Sequence, residues 1–224
     1  MHKSFIILAL LFTSFAVSSV FGQKWAFELH GGAPLNVPMP LVIRQEGQPD
    51  VRLTAKYYSE PFVSPYYWVW RFSRWNNGRS FEFEAVHHKI YLRNNPEEVQ
   101  WFGISHGYNM LIFNHAREVG WFIIRGGAGF VLPHPENVVR EQRLDEESGI
   151  FGLGYYLCGA TLNLAVQKKL YLTKRLFATA EVKLNPSWCR VPVVGGNADV
   201  YNITLQGIFG IGVDFIKKGG SPSE

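Results

Sequence analysis

The chain has 224 residues, and its 22 lysine and arginine side chains against 18 aspartate and glutamate side chains give a formal net charge of +4. This length is enough for one domain with a sizeable interior or for one closed barrel. Because the chain contains no basic run of five or more residues, an electrostatic nucleic-acid-binding segment is excluded and no nucleic-acid partner is expected.

The first 22 residues, "MHKSFIILALLFTSFAVSSVFG", have a positive start, an apolar run and small residues near the end. This pattern predicts a secretory signal peptide that is cleaved before Gln23. Export places the mature chain in an oxidising compartment. Only Cys158 and Cys189 are available there, so one disulfide is possible and the sequence leaves it undecided.

Residues 23–216 are predicted to form one all-β domain, followed by a polar tail over 217–224. Apolar and polar residues alternate with period two along this domain, which is the signature of half-buried strands. Eight segments show the alternation: 24–33, 66–74, 81–92, 100–116, 120–131, 153–168, 175–186 and 201–216. The stretch 51–58 alternates weakly and is either a hairpin arm in the first long loop or a ninth strand.

The final segment shows the alternation most clearly. One face carries Tyr201, Ile203, Leu205, Phe209, Ile211, Val213 and Phe215, and the other carries Asn202, Thr204, Gln206, Gly210, Gly212 and Asp214. Apolar and polar residues are divided between two faces in the same way in 24–30, 66–74 and 178–185. Each of these segments therefore has one apolar and one polar face.

The connections between the segments alternate in length. One set, 34–65, 93–99, 132–152 and 187–200, is mostly long, and the other, 75–80, 117–119 and 169–174, is short. This asymmetry predicts an eight-stranded antiparallel transmembrane β-barrel with long extracellular loops and short periplasmic turns. The loop 132–152, which contains His134 and Glu136, is interpreted as a solvated extracellular loop.

Two features favour lipid outside the barrel. The polar face is rich in small polar residues rather than in the many lysines and glutamates of a water-facing surface. Aromatic residues band the apolar face at both ends, as at the two interfaces of a membrane. A soluble lipocalin-like barrel, with its apolar face inward, is the alternative.

These features together resemble small Gram-negative outer-membrane barrels, and Phe215, closing the last strand, resembles the assembly signal of that class. The resemblance implies an outer-membrane location and a monomer. It also implies three partners: outer-membrane lipid, lipopolysaccharide and the barrel-assembly machinery. It identifies no particular activity.

An eight-stranded barrel has an interior just wide enough for side chains to fill, so charges of opposite sign are expected to pair there. The predicted polar network of the lumen consists of Glu28, Arg71, Glu82, Glu84, His88, Arg125, Glu181 and Lys183. A lumen filled in this way has no wide pore. A proton or ion path along the same residues is the alternative interpretation.

Alternation also predicts where the side chains around three histidines point. We expect His88, Ser105 and Asn109 to point inward, and His87 and His106 to point outward to lipid. The residues Phe102, Ile104, Tyr108, Met110 and Ile112 are expected to point outward as well. Because the three histidines do not share one face, no metal site is predicted, and no cofactor is expected.

The segment His106–Asn109, "HGYN", resembles the His-x-Ser-Asn motif of the lipid A 3-O-deacylases. Those enzymes are eight-stranded outer-membrane barrels that use a serine, a histidine and a glutamate on the lipid-facing surface. The resemblance implies that His106 is the catalytic histidine and that Asn109 is the motif asparagine. Tyr108 occupies the serine position, and the next predicted strand, "GWFIIRGGAGFVL", contains no acid.

Three functional hypotheses follow. The first is a non-enzymatic barrel with a structural or interaction role at the lipopolysaccharide layer. The second is a lipid A acyl hydrolase or transferase, for which His106, His87 and Tyr108 are the candidate catalytic residues. The third is a soluble lipocalin-like lipid binder.

Overall fold

A computed structural model describes residues 24–145 and 147–216, so the predicted signal peptide and the predicted tail lie outside the described residues. Among the described residues, no helix is long and apolar enough to cross a membrane. The described strands are β1 (Lys24–Val37), β2 (Met39–Gln45), β3 (Val51–Ala55), β4 (Tyr57–Tyr58), β5 (Trp68–Asn76), β6 (Arg79–His87), β7 (Ile90–Leu92), β8 (Val99–Val119), β9 (Phe122–Val139), β10 (Gln142–Arg143), β11 (Gly159–Tyr171), β12 (Leu176–Val193) and β13 (Gly196–Ile216).

Eight of these strands form a closed antiparallel ring. The order around the ring is β1, β5, β6, β8, β9, β11, β12 and β13. Pairing of β1 with β13, from Lys24 opposite Ile216 to Val37 opposite Ile203, closes it. Closure leaves the ring without a free edge. The predicted all-β, eight-stranded antiparallel barrel is thereby confirmed.

Three tight turns, at 77–78, 120–121 and 172–175, lie at one end of the ring, which we call the lower end. Asn77 and Gly78 both have positive φ, of 49° and 70°, as a two-residue hairpin turn requires. These short connections agree with the sequence pattern.

The upper end differs from the prediction, because several stretches predicted as loops are strands. The stretch 187–200, predicted as a long loop, is strand almost throughout, because β12 and β13 continue to a two-residue turn at 194–195. Strand β2 pairs with the upper part of β13, and β3 pairs with β2. Residues 51–55 are therefore one arm of a hairpin beside the ring, residues 57–58 pair with β7, and the stretch is not a ninth ring strand.

In the lower and middle part of the ring, the apolar faces point outward. Phe209 is 71% exposed, Val182 58% and Leu162 56%. Inward neighbours such as Glu181 and Gln206 are buried. We call this outward surface the apolar belt, and its side-chain directions are those predicted for the membrane barrel. The soluble lipocalin-like alternative requires the opposite orientation.

Above the belt the interior becomes apolar. A cluster of buried residues there, which we call the upper core, includes Leu41, Ile43, Val86, Phe102, Ile104, Tyr108, Met110, Ile112, Cys189, Val191, Val193 and Val200. The predicted outward direction of Phe102, Ile104, Tyr108, Met110 and Ile112 is wrong, since each is at most 1% exposed. For Phe102, Ile104, Tyr108 and Met110 the physical reason is that the strand extends beyond the belt, where the outer face meets water and the apolar face is therefore the inner one. Ile112 lies lower, opposite Glu84, where its neighbour Phe113 is the outward residue.

Candidate functional site

The centre of the lumen is a cluster of buried charges. Alternate residues of β1, β5, β6, β9 and β12 direct these side chains inward. Arg71 lies at its middle, with guanidinium nitrogens 2.5 Å from Glu84, 2.8 Å from Glu181 and 3.2 Å from Glu28. All four side chains are 0% exposed. These ion pairs can neutralise carboxylates whose burial in the interior would otherwise be very unfavourable.

Two further cations complete the cluster. Arg125 donates to Glu181 at 2.6 Å and also pairs with Glu82. Lys183 pairs with Glu84. The seven charged residues of the predicted lumen network therefore meet in one ion-pair network.

Small residues leave room for this network. A Cβ atom on Gly212 would lie 2.3 Å from the Phe177 ring and 2.9 Å from Cγ of Glu28. Only glycine allows these side chains to reach the axis of the barrel at this level. Gln167 also contacts Glu28, donating from Nε2 to Oε2 at 2.6 Å.

His88, the eighth residue of the predicted network, points inward but lies apart from it. Its Nε2 is 3.1 Å from Oδ1 of Asn36, and its ring packs edge-on against Tyr108. Burial lowers the pKa of His88 to about 3, with a smaller contribution from the neighbouring His87. His88 is therefore a neutral group of the upper interior, beyond the end of β6.

The residues predicted as a catalytic group do not meet. Tyr108 lies inside the upper core, where its hydroxyl donates to Oγ of Ser187 at 2.9 Å. His87 is only 5% exposed, so the predicted contact with lipid is wrong; it stacks on Trp68 with ring centroids 5.3 Å apart and has Nδ1 2.8 Å from Oδ1 of Asn109. The predicted inward direction of Asn109 is wrong, because the upper core takes its apolar neighbours Tyr108 and Met110 instead.

A β-bulge on β8 sets the position of His106. The pairing register jumps between Ile104 opposite Pro135 and Tyr108 opposite Pro133, so three residues oppose His134 alone. Gly107 in this bulge has a φ of 132°, which favours glycine. Pro133 and Pro135 have no N–H to donate to a regular ladder at this point, which is compatible with a bulge.

The bulge brings four polar side chains together on the outer face, above the belt. His106 Nδ1 is 2.6 Å from Oε1 of Glu136, and Ser105 Oγ is 3.1 Å from the same nitrogen. Ser105 also hydrogen-bonds Glu136 directly. The ring of His134 lies 4.8 Å from that of His106, between centroids. We call Ser105, His106, His134 and Glu136 the outer His–Glu cluster.

The loop that follows β10 covers one side of this cluster. The Tyr155 hydroxyl donates to the carbonyl oxygen of His106 at 3.1 Å, and the Tyr155 ring packs edge-on against His134. The loop buries His134 and leaves His106 open: His134 is 7% exposed, whereas the His106 side chain is 59% exposed. The cluster thus has a sheltered inner side and an open outer side.

Sequence reasoning missed His134 and Glu136 as partners of His106. Both were assigned to a solvated loop, whereas they lie on β9, which continues to Val139. The inward direction expected for Ser105 is also wrong, because its neighbour Ile104 points inward and alternation turns Ser105 to the outer face. The signal available in the sequence was the His-x-Glu spacing, which places 134 and 136 on one face of a strand.

No family model matches the chain, and no curated protein matches it. Among solved structures, it is similar to the outer membrane protein AlkL, with a TM-score of 0.49 and 12% identity over 93% of this chain and 97% of that one. It is also similar to the outer membrane protein OprG of Pseudomonas aeruginosa, with a TM-score of 0.42 and 10% identity over 88% and 97% of the two chains.

A third similar structure is Ail, the attachment invasion locus protein of Yersinia pestis, in complex with sucrose octasulfate. Its TM-score is 0.39 and its identity 9%, over 87% of this chain and 100% of that one. The neighbours are small outer-membrane barrels, the class that the sequence resembles. At these scores the likeness carries no information on activity or ligand.

Proposed function

We propose that this chain is an integral β-barrel of the bacterial outer membrane, with a closed lumen and a structural or interaction role at the lipopolysaccharide layer. The observation that supports it best is the apolar belt around a closed ring. Each ring strand turns apolar side chains outward, among them Leu29, Phe72, Phe83, Phe113, Ile124, Leu164, Val182 and Phe209. A contiguous apolar surface of this kind is stable in lipid and not in water.

Aromatic residues mark the rims of the belt. At the upper rim, Trp188 lies directly opposite Tyr201 on the neighbouring strand, and both are partly exposed. At the lower rim, Phe81, Phe122 and Phe215 are each more than half exposed. Amphipathic and aromatic rings favour the two interfaces of a bilayer, which supports a spanning orientation with the long upper extension outside.

The ion-pair network supports closure of the lumen. Arg71 and Arg125 bridge carboxylates contributed by β1, β6 and β12, across the axis of the barrel. Their side chains are 0% exposed, which indicates that water is excluded at this level. An ion entering the lumen would have to displace these pairs.

Contact with lipopolysaccharide is supported by cations just above the upper rim. Arg190 and Arg44 both donate to Asp199, so two guanidinium groups share one carboxylate. Arg190 also lies over the ring of Trp188. Guanidinium groups with spare donors at the outer interface suit the phosphates of the outer leaflet.

Fractionation of cells expressing the full chain tests the location. We expect the protein in detergent-extracted outer membranes, with a mobility in gels that changes on heating. Recovery in the aqueous periplasmic fraction would instead support the lipocalin-like binder. Conductance across planar bilayers tests the lumen: the reconstituted protein should give no stepwise ion current, and steady current steps would contradict a closed lumen.

A lipid A acyl hydrolase is a second candidate, favoured by the outer His–Glu cluster. Ser105, His106 and Glu136 are the three residue types that the deacylase resemblance requires. However, Ser105 and Glu136 contact the same nitrogen of His106, whereas a relay needs the serine and the acid on opposite nitrogens. Hydrolysis would therefore require the His106 ring to turn.

Mass spectrometry of lipid A tests this candidate. Lipid A from cells that express the wild-type chain is compared with lipid A from cells that express Ser105→Ala at the same level. Loss of one acyl chain in the first sample alone supports the hydrolase. Identical acyl patterns in both samples and in cells without the protein would remove it.

A further inference from the structure

We propose that His106, His134 and Glu136 form a binding site for a zinc-like divalent cation on the outer face of the upper extension. One ligand atom from each of the three residues lies within 4.8 Å of the others. Two imidazoles and a carboxylate are a common three-ligand set for Zn²⁺, with a further position open to water. The site goes beyond the proposed barrel function and does not depend on it.

The distances between the candidate ligand atoms fit a metal at the centre. Nδ1 of His106 is 2.6 Å from Oε1 of Glu136, and Nδ1 of His134 is 3.9 Å from the same oxygen. With metal–ligand bonds of about 2.0–2.2 Å, ligands around tetrahedral zinc lie roughly 3.3 Å apart. The observed separations bracket that value, so rotations of the side chains about their own bonds can bring three ligands onto one ion.

An orphaned nitrogen supplies independent support. Nδ1 of His134 is buried, and it has no hydrogen-bond partner among the residues that the structure describes. A buried imidazole nitrogen without a partner is unfavourable. Coordination to a cation held by Glu136 and His106 would satisfy this nitrogen.

The backbone holds the three residues in place. His134 and Glu136 are two residues apart on β9, so both project from the same face. The bulge on β8 directs His106 to that face, across from His134. Because β8 and β9 are paired above and below the bulge, the separation of the ligands is fixed by the sheet and not by a flexible loop.

Two side chains next to the three candidate ligands hold those ligands in position. Ser105 hydrogen-bonds Glu136, and Tyr155 packs against the ring of His134. Such contacts fix the orientation of a ligating ring or carboxylate. The exposed side of His106 leaves an entry path for an ion and a place for water or an anionic group as the fourth ligand.

The donor set selects the class of ion. Imidazole nitrogens suit zinc, copper, nickel and cobalt, whereas calcium and magnesium prefer sets made of oxygen atoms. With one carboxylate oxygen among three protein ligands, we expect Zn²⁺ to bind well and Ca²⁺ and Mg²⁺ to bind weakly.

The test measures Zn²⁺ binding to the full chain, purified from membranes in detergent without a histidine tag and stripped with a chelator. Isothermal titration should give one equivalent of Zn²⁺ per chain. His134→Ala and Glu136→Gln should each weaken binding by more than about tenfold. Bound Co²⁺ should give visible absorption bands typical of a low-coordinate site with nitrogen and oxygen ligands.

Matched variants keep the test decisive. His115 is an exposed histidine further along the same strand and lies outside the cluster, so His115→Ala should bind Zn²⁺ as the wild type does. Heat-dependent gel mobility verifies that each variant is folded. Absence of stoichiometric binding, or full affinity in folded His134→Ala, would overturn the proposal.

Discussion

The belt and the upper extension are built from the same strands with opposite distributions of polarity. Along β12, Glu181 and Lys183 point inward while Val182 points outward. Eight residues above Lys183, Val191 still points inward, and its neighbour Arg190 points outward. The direction of alternate side chains has not changed, but the chemistry of each face has. The medium outside the barrel therefore decides which face is apolar.

The two regions are stabilised by different interactions. Inside the belt, paired charges and hydrogen bonds compensate the burial of polar groups, and lipid covers the apolar side chains outside. In the upper extension, apolar side chains pack against each other as in a soluble protein. The two halves should consequently respond to different substitutions.

The largest effect is expected at the centre of the charge network. Arg71→Met leaves Glu28, Glu84 and Glu181 without their shared cation, which should lower the free energy of unfolding by about 3–5 kcal/mol. Urea titration in detergent micelles, followed by heat-dependent gel mobility, measures this loss.

The matched control is Arg74→Met on the same strand. Arg74 points outward near the lower end, over the ring of Trp25, so its loss should lower stability by less than about 1 kcal/mol. Equal losses for the two arginine variants would show that the buried ion pairs do not distinguish the lumen from the surface.

In the upper core, we expect stability to fall when a substitution removes buried side-chain volume. Leu41→Ala removes a side chain that is 0% exposed, so stability should fall by about 2–5 kcal/mol. Arg52→Ala, on the adjacent strand and largely exposed, should change it by no more than about 0.5 kcal/mol. The same urea titration compares them. A Leu41 variant as stable as the Arg52 variant would mean that the extension lacks a packed core.

A smaller and pH-dependent effect is expected at His88. Its folded pKa of about 3 lies below the ordinary value of about 6.5, so on acidification the unfolded chain takes up a proton first. His88 therefore contributes a loss of stability that begins near pH 6.5 and grows as the pH falls towards 3. Between about pH 7.5 and about pH 5 this loss amounts to about 2 kcal/mol.

Comparison of unfolding at the two pH values isolates this contribution. His88→Gln should flatten the pH dependence of the free energy of unfolding by about 2 kcal/mol, because glutamine does not titrate. His115→Gln, at an exposed position, serves as the control and should keep the wild-type slope. An unchanged slope in His88→Gln would contradict a neutral, buried imidazole in the folded state.

How far the site could be predicted depends on the regularity of the strand. The inward direction of Glu84, Arg71 and Lys183 followed from alternation, because those strands are regular at that level. The partners of His106 could not be predicted from alternation, because a bulge breaks it between Ile104 and Tyr108. A bulge depends on how two strands pair, and neither strand alone specifies it.

By itself, the sequence determined the presence of eight ring strands, their antiparallel order and the side-chain directions in the belt on strands such as β5, β12 and β13, although on β8 Phe113 and not Ile112 faces outward. These follow from period-two patterns and from the alternation of long and short connections, which are local properties of the chain. Only the tertiary structure decided the height at which each face changes from lipid-facing to water-facing, and that change placed Tyr108 inside. Strand pairing likewise brought His134 and Glu136 to His106, because contacts between distant segments depend on register and not on the pattern within either segment.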